Sequence, residues 1–397
     1  MKQPACRKIL HLDLDAFFCA VEELKDPTLA GKAFAVGGSA DRRGVISSCS
    51  YPARRCGVHS AMPTGQALRQ CPGLILISSN FGDYSAKSTE VMEILHQLSG
   101  MVEKISVDEA FIDVTDLPQD SEEIARDLQR KVRDQTGLPC SIGAASNKLV
   151  AKMATDTGKA RSQRNDYPRA ILCVPPGKEA EFLAPLPTKA MWGVGPKTEA
   201  SLADMGFRTI GDIAACPVEV LERKLGKYGA DLHRHAMGID TRPVIQEYEA
   251  KSVSQEVTFA RDTTDLVFLR QTLRELSSKV GYRMRCDGVC ARVVRLKLRW
   301  SDFSTHTRQV ALAQATDQDG VIYATAIELL QKLWEPGRPV RLIGVGGSNL
   351  VDQVHQLELW ETATEKERKL LDALDELREK FGRGAVLRAD RLGKRNK

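Results

Sequence analysis

The stretch HLDLDAFFCAVEE, residues 11–23, most tightly constrains what this chain can fold into. With RKIL before it, its first half reads as a buried strand, yet it carries two aspartates, Asp13 and Asp15. A lone ionised carboxylate in an apolar interior is costly, or shifts its pKa until it is neutral. The fold must therefore bring something to this strand end that makes the carboxylates tolerable. In a strand, i and i+2 share a face, so Asp13 and Asp15 can point at one site. Asp15 also reads as the N-cap of the helix that AFFCAVEEL predicts.

Further along, GKAFAVGG and GVISSCS read as short strands around a Gly/Asp/Arg turn. YPARRCGV and TGQALRQC read as short helices, with Pro52 tolerated in a first helical turn. This small, arginine-containing segment is a candidate for covering a substrate. Tyr84 to Leu98 has a helical pattern, and VEKISVDEAFIDV predicts two short strands meeting near Asp108 and Glu109. SEEIARDLQRKVRDQTG is an amphipathic helix, with Ile124, Leu128 and Val132 at i, i+4 and i+8. CSIGAAS predicts another strand and NKLVAKMATDTGK another helix. This mixture implies an α+β core with helices on one sheet face. Proline-rich VPPGKEAEFLAPLPTK marks a boundary, and residues 175–238 are helical with glycine turns. IDTRPVIQEYEAKS is an extended charged linker, residues 252–350 alternate strand and helix signals, and TEKERKLLDALDELREKFG closes the chain as a helix.

The 397 residues correspond to roughly two to four domains. No apolar run approaches the roughly 20 residues of a membrane span. The N-terminus has no long apolar region of the kind that directs secretion. Ten cysteines without CxxC spacing imply reduced thiols and a cytoplasmic protein. A net charge of +5 permits nucleic-acid binding without demanding it. The sequence has no GxxxxGKS or GxxxxGKT loop, which argues against a nucleotide-driven motor.

Asp13 and Asp15 with Asp108 and Glu109 form a set of carboxylates without His or Cys, the chemistry of a hard-cation site such as Mg²⁺. Two such ions about 3.5–4 Å apart serve phosphoryl transfer. Against this stands a helix cap plus an ordinary polar turn. Tyr51, Arg54 and Arg55, and Lys148, Lys152 and Lys159, are suited to polyphosphate oxygens, although a basic helix face is often only solvated. In MWGVGPKTEASLADMGFRTIGDI, the glycine turn around Gly193, Gly195 and Lys197 can leave backbone N–H groups facing a phosphate, or can be a plain helix connection. In ARVVRLKLRW, Val294, Leu296, Leu298 and Trp300 alternate with Arg295, Lys297 and Arg299. That pattern gives one buried face and one positive face able to track a phosphate backbone. The alternative is a basic strand that protects a sheet edge.

Six ordered motifs resemble the Y-family DNA polymerases of the DinB type over nearly the whole chain: HLDLDAFFCAVE, GVISSCSYPARRCGVHSAMP, SVDEAFIDVT, IGAASNKLVAKMATDTGK, WGVGPKTEASLADMGFRTIGDI and KSVSQEVTFARD. The resemblance implies an α+β multidomain right-hand polymerase. Its palm would be residues 1–18 and 78–166, small fingers 19–77, a helix-hairpin-helix thumb 167–240, a linker 241–251 and an α/β little finger 252–355. A clamp-binding-like peptide and helical tail would occupy 356–397. It implies catalysis and metal ligation by Asp13, Asp108 and Glu109, with the Leu14 carbonyl beside them and two Mg²⁺ ions per site. Asp15 matches a motif position that is not usually a ligand, in line with the cap. Phe18 matches the steric gate against a ribose 2′-hydroxyl, while Phe17, Ser48, Tyr51, Arg54 and Lys159 match positions around the incoming dNTP. QLELW, with Gln356, Leu357, Leu359 and Trp360, resembles the peptide that binds the bacterial sliding clamp. The implied partners are primer–template DNA, dNTPs and that clamp, with the chain a monomer and not in a membrane. The implied activity is low-fidelity, distributive, lesion-tolerant synthesis. A non-catalytic clamp-associated scaffold is the alternative, and a nucleotidyl cyclase leaves the thumb and basic strand unexplained. Two departures stand out. KARSQRND replaces the common Lys-Pro-Asn/Asp-Gly turn, and Pro52, Cys56 and His59 fill fingers positions where other residues are common.

Overall fold

A computed structural model describes residues 7–162, 166–247, 249–353 and 363–382, the last stretch with side chains from 368 onward. The chain divides into two compact units, Met1–Tyr248 and Glu249–Lys397.

The first unit begins with β1 (Ile9–Leu14), α1 (Phe17–Lys25), β2 (Phe34–Gly37), β3 (Ile46–Cys49), α2 (Tyr51–Arg55), α3 (Thr64–Gln70) and β4 (Ile75–Ile77). It continues with α4 (Phe81–Leu98), β5 (Val102–Lys104), β6 (Glu109–Asp113), α5 (Ser121–Thr136), β7 (Cys140–Ala145), α6 (Lys148–Arg161) and β8 (Ile171–Cys173). Five short helices follow: α7 (Glu179–Leu183), α8 (Pro196–Asp204), α9 (Ile210–Ala215), α10 (Val218–Leu225) and α11 (Lys227–Ala236).

The main sheet has the order β5-β6-β1-β7-β8. Its ladders are antiparallel except β7–β8. Leu10, Leu12, Ile112 and Ile142 lie in one core with Val91, Leu95, Leu128 and Val132 of α4 and α5. On the opposite face Ile9, Phe111 and Ala145 join Leu149, Val150 and Met153 of α6. Helices therefore cover both faces, not the single face expected. The reason is visible in ILHL, which is buried on both sides and does not alternate with exposed polar residues. Gly143 lets α6 approach closely, because a Cβ there would come within 2.1 Å of the Ala151 carbonyl oxygen and 2.5 Å of the Thr155 nitrogen.

Helix α5 buries Ile124, Leu128 and Val132 as their spacing predicts, and Asp120 caps it by accepting from the Glu122 and Glu123 amides. A small sheet, β3-β2-β4, builds its own core from Ala35, Ile46, Cys49, Ala53, Ala67 and Cys71. Its strand β4 was not expected from the sequence, and neither was β8. Each has three residues and runs parallel to its neighbour. Segments that short show no period.

The second unit runs β9 (Ser252–Thr263), α12 (Leu266–Cys286), β10 (Val289–Trp300), β11 (Thr305–Thr316), α13 (Asp319–Leu333), β12 (Val340–Asp352) and α14 (Ala363–Phe381). Its sheet order is β11-β10-β12-β9, antiparallel throughout. Val294, Leu296, Leu298 and Trp300 point into a core shared with Leu273, Leu276, Ile322 and Leu330 of α12 and α13. Strand β10 lies inside the sheet, which removes the edge-protection reading of its basic residues. The nine cysteines among the described residues are free thiols.

Candidate active site

Strand β1 sits between β6 and β7, so its end is fixed from both sides. Asp13 lies opposite Glu109 on one side and Ser141 on the other. The Leu14 amide donates to the Asp108 carbonyl at 3.0 Å. The β5–β6 hairpin thus delivers Asp108 and Glu109 to the end of the strand that carries Asp13. Ser106 holds the bend: its Oγ donates to Asp108 Oδ1 at 2.5 Å and accepts from the Glu109 amide at 3.0 Å.

Helix α6 supplies the positive charge. Lys159 Nζ stands 2.6 Å from Asp13 Oδ1 and 3.3 Å from Asp15 Oδ1. Lys152 Nζ bridges both Glu109 oxygens at 3.1 and 3.2 Å. Lys148 is buried against Glu103 at 2.8 Å. These lysines are not a solvated helix face. Burial pushes the Asp13 carboxyl far above the ordinary aspartate range, to about 7. Lys159 opposes that rise, and the carboxylates of Glu109 and Asp108 add to it. Glu109 is held down to about 2 by the neighbouring His11 imidazole and by Lys152, against burial.

Asp15 does not cap α1. The cap position is Ala16, in a left-handed conformation at φ 45° with no side-chain cap bond. Asp15 is fully buried. It accepts from Ser141 Oγ at 2.8 and 3.1 Å and from the Arg169 amide at 2.9 Å. The left-handed Ala16 turns the chain so that Asp15 points inward beneath Lys159 and the first turn of α1 is left open. The amides of Phe17, Phe18 and Cys19 donate to no acceptor among the described residues. Free N–H groups at a helix start suit an anion.

The two phenylalanines part company. Phe17 is 2% exposed and belongs to the core, so only its backbone faces the site. Phe18 is half-buried and stacks on Tyr84, with centroids 4.2 Å apart and planes 13° apart. On α2, Arg54 lies over the Tyr51 ring at 4.7 Å and donates to the Cys49 carbonyl. The Tyr51 hydroxyl is buried without a partner. Burial and the nearby Asp15 carboxylate push its pKa up to about 12, with Arg54 and Lys159 opposing. Ser48 lies on β3, buried. Tyr51 and Lys159 therefore stand close to the strand-end carboxylates.

His11 was not anticipated. It is fully buried two residues before Asp13, on the same face of β1, with Nδ1 2.9 Å from Thr155 Oγ1 and Nε2 3.8 Å from Glu109 Oε2. Its signal in the sequence is the i, i+2 step itself.

Among the described residues, no three His, Cys, Asp or Glu side chains stand as a ready metal cage. Lysines and Ser106 engage the carboxylates instead. The donor set nevertheless fits a hard divalent cation. It is all oxygen, partly buried and mutually repelling, and it already attracts two ammonium groups. Asp13, Asp108, Glu109 and the Leu14 carbonyl would hold such ions.

Gly193, Gly195 and Lys197 are exposed at the turn that opens α8. In the second unit Arg295 and Arg299 lean on Gln309 and Thr305, and Lys297 pairs with Glu256 at 2.7 Å. The positive face expected of β10 is thus tempered by one carboxylate. Gln356, Leu357, Leu359 and Trp360 lie outside the described residues, as does part of KARSQRND.

Three family models match the chain: the impB/mucB/samB family over residues 12–156, its C-terminal domain over 250–359, and the DNA polymerase-iota thumb domain over 189–240. A protein named DNA polymerase IV from Dehalococcoides mccartyi strain CBDB1 is 40% identical over 96% of each chain. One of the same name from Desulfatibacillum aliphaticivorans is 40% identical over 95% of each. A solved Y-family DNA polymerase chimera, Dbh-Dpo4(243-245)-Dbh, shares the fold at TM-score 0.76 and 23% identity, over 87% of this chain and 99% of its own. The insertion ternary complex of Dbh DNA polymerase gives TM-score 0.62 over the same shares. The chain belongs to the Y-family DNA polymerases of the DinB type, with their right-hand fold.

Proposed function

We propose that the chain is a template-directed DNA polymerase of the translesion type, joining dNTPs to a primer 3′-hydroxyl. The observation that carries the reading is Asp13 opposite Glu109, with Asp108 beside them and Lys159 over them, in a chain of this family. Asp13, Asp108, Glu109 and the Leu14 carbonyl would hold two Mg²⁺ ions, which would supply activation of the attacking oxygen and charge stabilisation of the leaving one. Lys159, Arg54 and Tyr51 bind the triphosphate, helped by Ser48 and the free amides of Phe17 and Phe18. Lys159, 2.6 Å from Asp13, turns to a phosphate of the incoming nucleotide. Phe18 closes the site against a 2′-hydroxyl.

In this reading residues 1–18 and 78–166 are palm, 19–77 fingers, 167–240 thumb, 241–251 linker and 252–355 little finger. Gly193, Gly195 and Lys197, and Arg295 and Arg299 with a lesser part from Lys297, which Glu256 holds, contact the primer–template backbone. QLELW contacts a bacterial sliding clamp, proposed on its sequence alone. The small fingers favour low-fidelity, distributive, lesion-tolerant synthesis by a cytoplasmic monomer, and no helix among the described residues is long and apolar enough to cross a membrane. Primer extension on damaged and undamaged templates, with and without a clamp and with Asp108→Ala as control, tests all of this. The expected result is short-patch synthesis across lesions, enhanced by the clamp and abolished in the control. Extension that persists in Asp108→Ala would remove the site, and none by the unaltered chain would leave a DNA-binding scaffold.

A further inference from the structure

Lys148, Lys152 and Lys159 follow one face of α6, and each meets a carboxylate from a different strand: Glu103 of β5, Glu109 of β6 and Asp13 of β1. Their positions in the reaction differ. Lys159 has a triphosphate to move to, and Glu103, held by Lys148 and the Ile245 amide, is not among the proposed metal ligands. Lys152 alone faces a proposed metal ligand and has no assigned task. Its side chain is 14% exposed, and its ammonium engages both Glu109 oxygens nearly equally.

We infer that Lys152 is an internal counter-cation of Glu109, one that releases the carboxylate only when a divalent cation takes its place. This rests on the metal-site reading given under Proposed function. An ammonium bound to both Glu109 oxygens competes for them with any ion near Asp13 and repels that ion through a partly desolvated space. It also neutralises a carboxylate that would otherwise stand unpaired in a half-buried site. Lys152 thus stabilises the metal-free protein and weakens cation binding.

The structure also holds the acceptor for the released ammonium. Asp156, one helical turn on, lies 4.0 Å from Lys152 Nζ and is half-exposed. On the far side of Glu109, His11 Nε2 is buried without a hydrogen-bond partner, 3.8 Å from Oε2. Thr155 Oγ1 stands 2.9 Å from Nδ1 and holds the ring in place, and a proton carried on Nε2 faces the carboxylate and steadies it after Lys152 departs. Lys152 is a positioning residue here and touches no reacting atom.

The test is Mn²⁺ binding to the full chain without DNA or nucleotide, read by electron paramagnetic resonance at fixed pH. Lys152→Met is expected to bind Mn²⁺ on the order of tenfold more tightly than the unaltered chain, and Lys152→Arg to restore weak binding. Asp156→Asn, at an exposed position that leaves folding intact, is expected to weaken binding several-fold in the Lys152 background and much less in the Met background. That non-additivity separates a shared ammonium from the loss of a remote charge. Equal effects of Asp156→Asn in both backgrounds, or unchanged or weaker binding by Lys152→Met, overturn the inference while the metal site stands. If Lys152→Met does not fold, Lys152→Gln takes its place in the cycle. No specific binding by any form, with Asp108→Ala indistinguishable from the unaltered chain, overturns both the inference and the metal site.

Discussion

Phe17 and Phe18 are neighbours with opposite fates, and in the proposed function the difference sets a substrate filter. Helix α1 turns Phe17 into the core and leaves Phe18 at the surface of the site, stacked on Tyr84. Tyr84 is itself fixed, its hydroxyl donating to Glu22 Oε1 at 2.7 Å. A ring held this way is a rigid wall. Phe18→Ala is expected to raise ribonucleotide over deoxyribonucleotide insertion by about 100-fold, the scale of a steric hydroxyl filter. Single-nucleotide insertion kinetics check it, and an unchanged ratio would remove Phe18 from the gate. At this scale the sequence was readable where a local rule applied. The meeting of Asp13 with Glu109 follows from a strand end and a hairpin bend. Asp15 was misread because its donors, Ser141 and Arg169, are 126 and 154 residues away. The cap rule sees only the next turn.

Helix α6 is the element on which the site depends, because it lays lysines across three strands of the sheet. Gly143 allows its approach, and residues after the helical stretch fasten its start. Asn147 caps the helix by accepting from Val150, and its amide group donates to the Gly238 carbonyl at 2.9 Å. Asp240 accepts from the Leu149 amide at 3.1 Å and from Arg242 Nε and Nη2 at 2.8 and 2.9 Å. Burial pushes the Asp240 carboxyl up, but Arg242 and these amides more than offset it, leaving it below the ordinary value of 3.8. A depressed carboxyl stabilises the fold above its unfolded pKa, and that contribution is lost as pH falls through the folded value. Asp240→Asn should therefore cost about 1–3 kcal/mol at pH 7. The gap should narrow below about pH 4, toward the folded pKa. Urea denaturation of both forms at neutral and acid pH measures this, and a gap independent of pH would mean the charge is not the source. Helix α5 is readable from its period, and NKLVAKMATDTGK reads as the helix α6. Placing α6 on the face opposite α4 and α5 is not readable, because a strand buried on both sides carries no alternation to assign faces.

The whole molecule carries a net charge of only +5, so a grip on a nucleic-acid backbone has to come from where the positive groups stand. In the second unit, α12 and α13 share the core with one face of the sheet, and Arg295, Lys297 and Arg299 point from the other. The alternation in ARVVRLKLRW made this face legible, but the partner of Lys297 was hidden. Glu256 comes from β9, two strands away in the sheet order. The three cations are therefore unequal. Each phosphate contact contributes about 0.9 to the slope of log affinity against log salt. Arg295→Ala with Arg299→Ala should flatten the slope for primer–template DNA by about 2, and adding Lys297→Ala should change it little further. Glu256→Gln should steepen it, since Lys297 is then free for a phosphate. Fluorescence anisotropy across a potassium chloride series reads all four forms. A slope that ignores the two arginines would mean that this face tracks no backbone. A full further unit lost with Lys297 would mean that DNA takes the lysine from Glu256 without penalty.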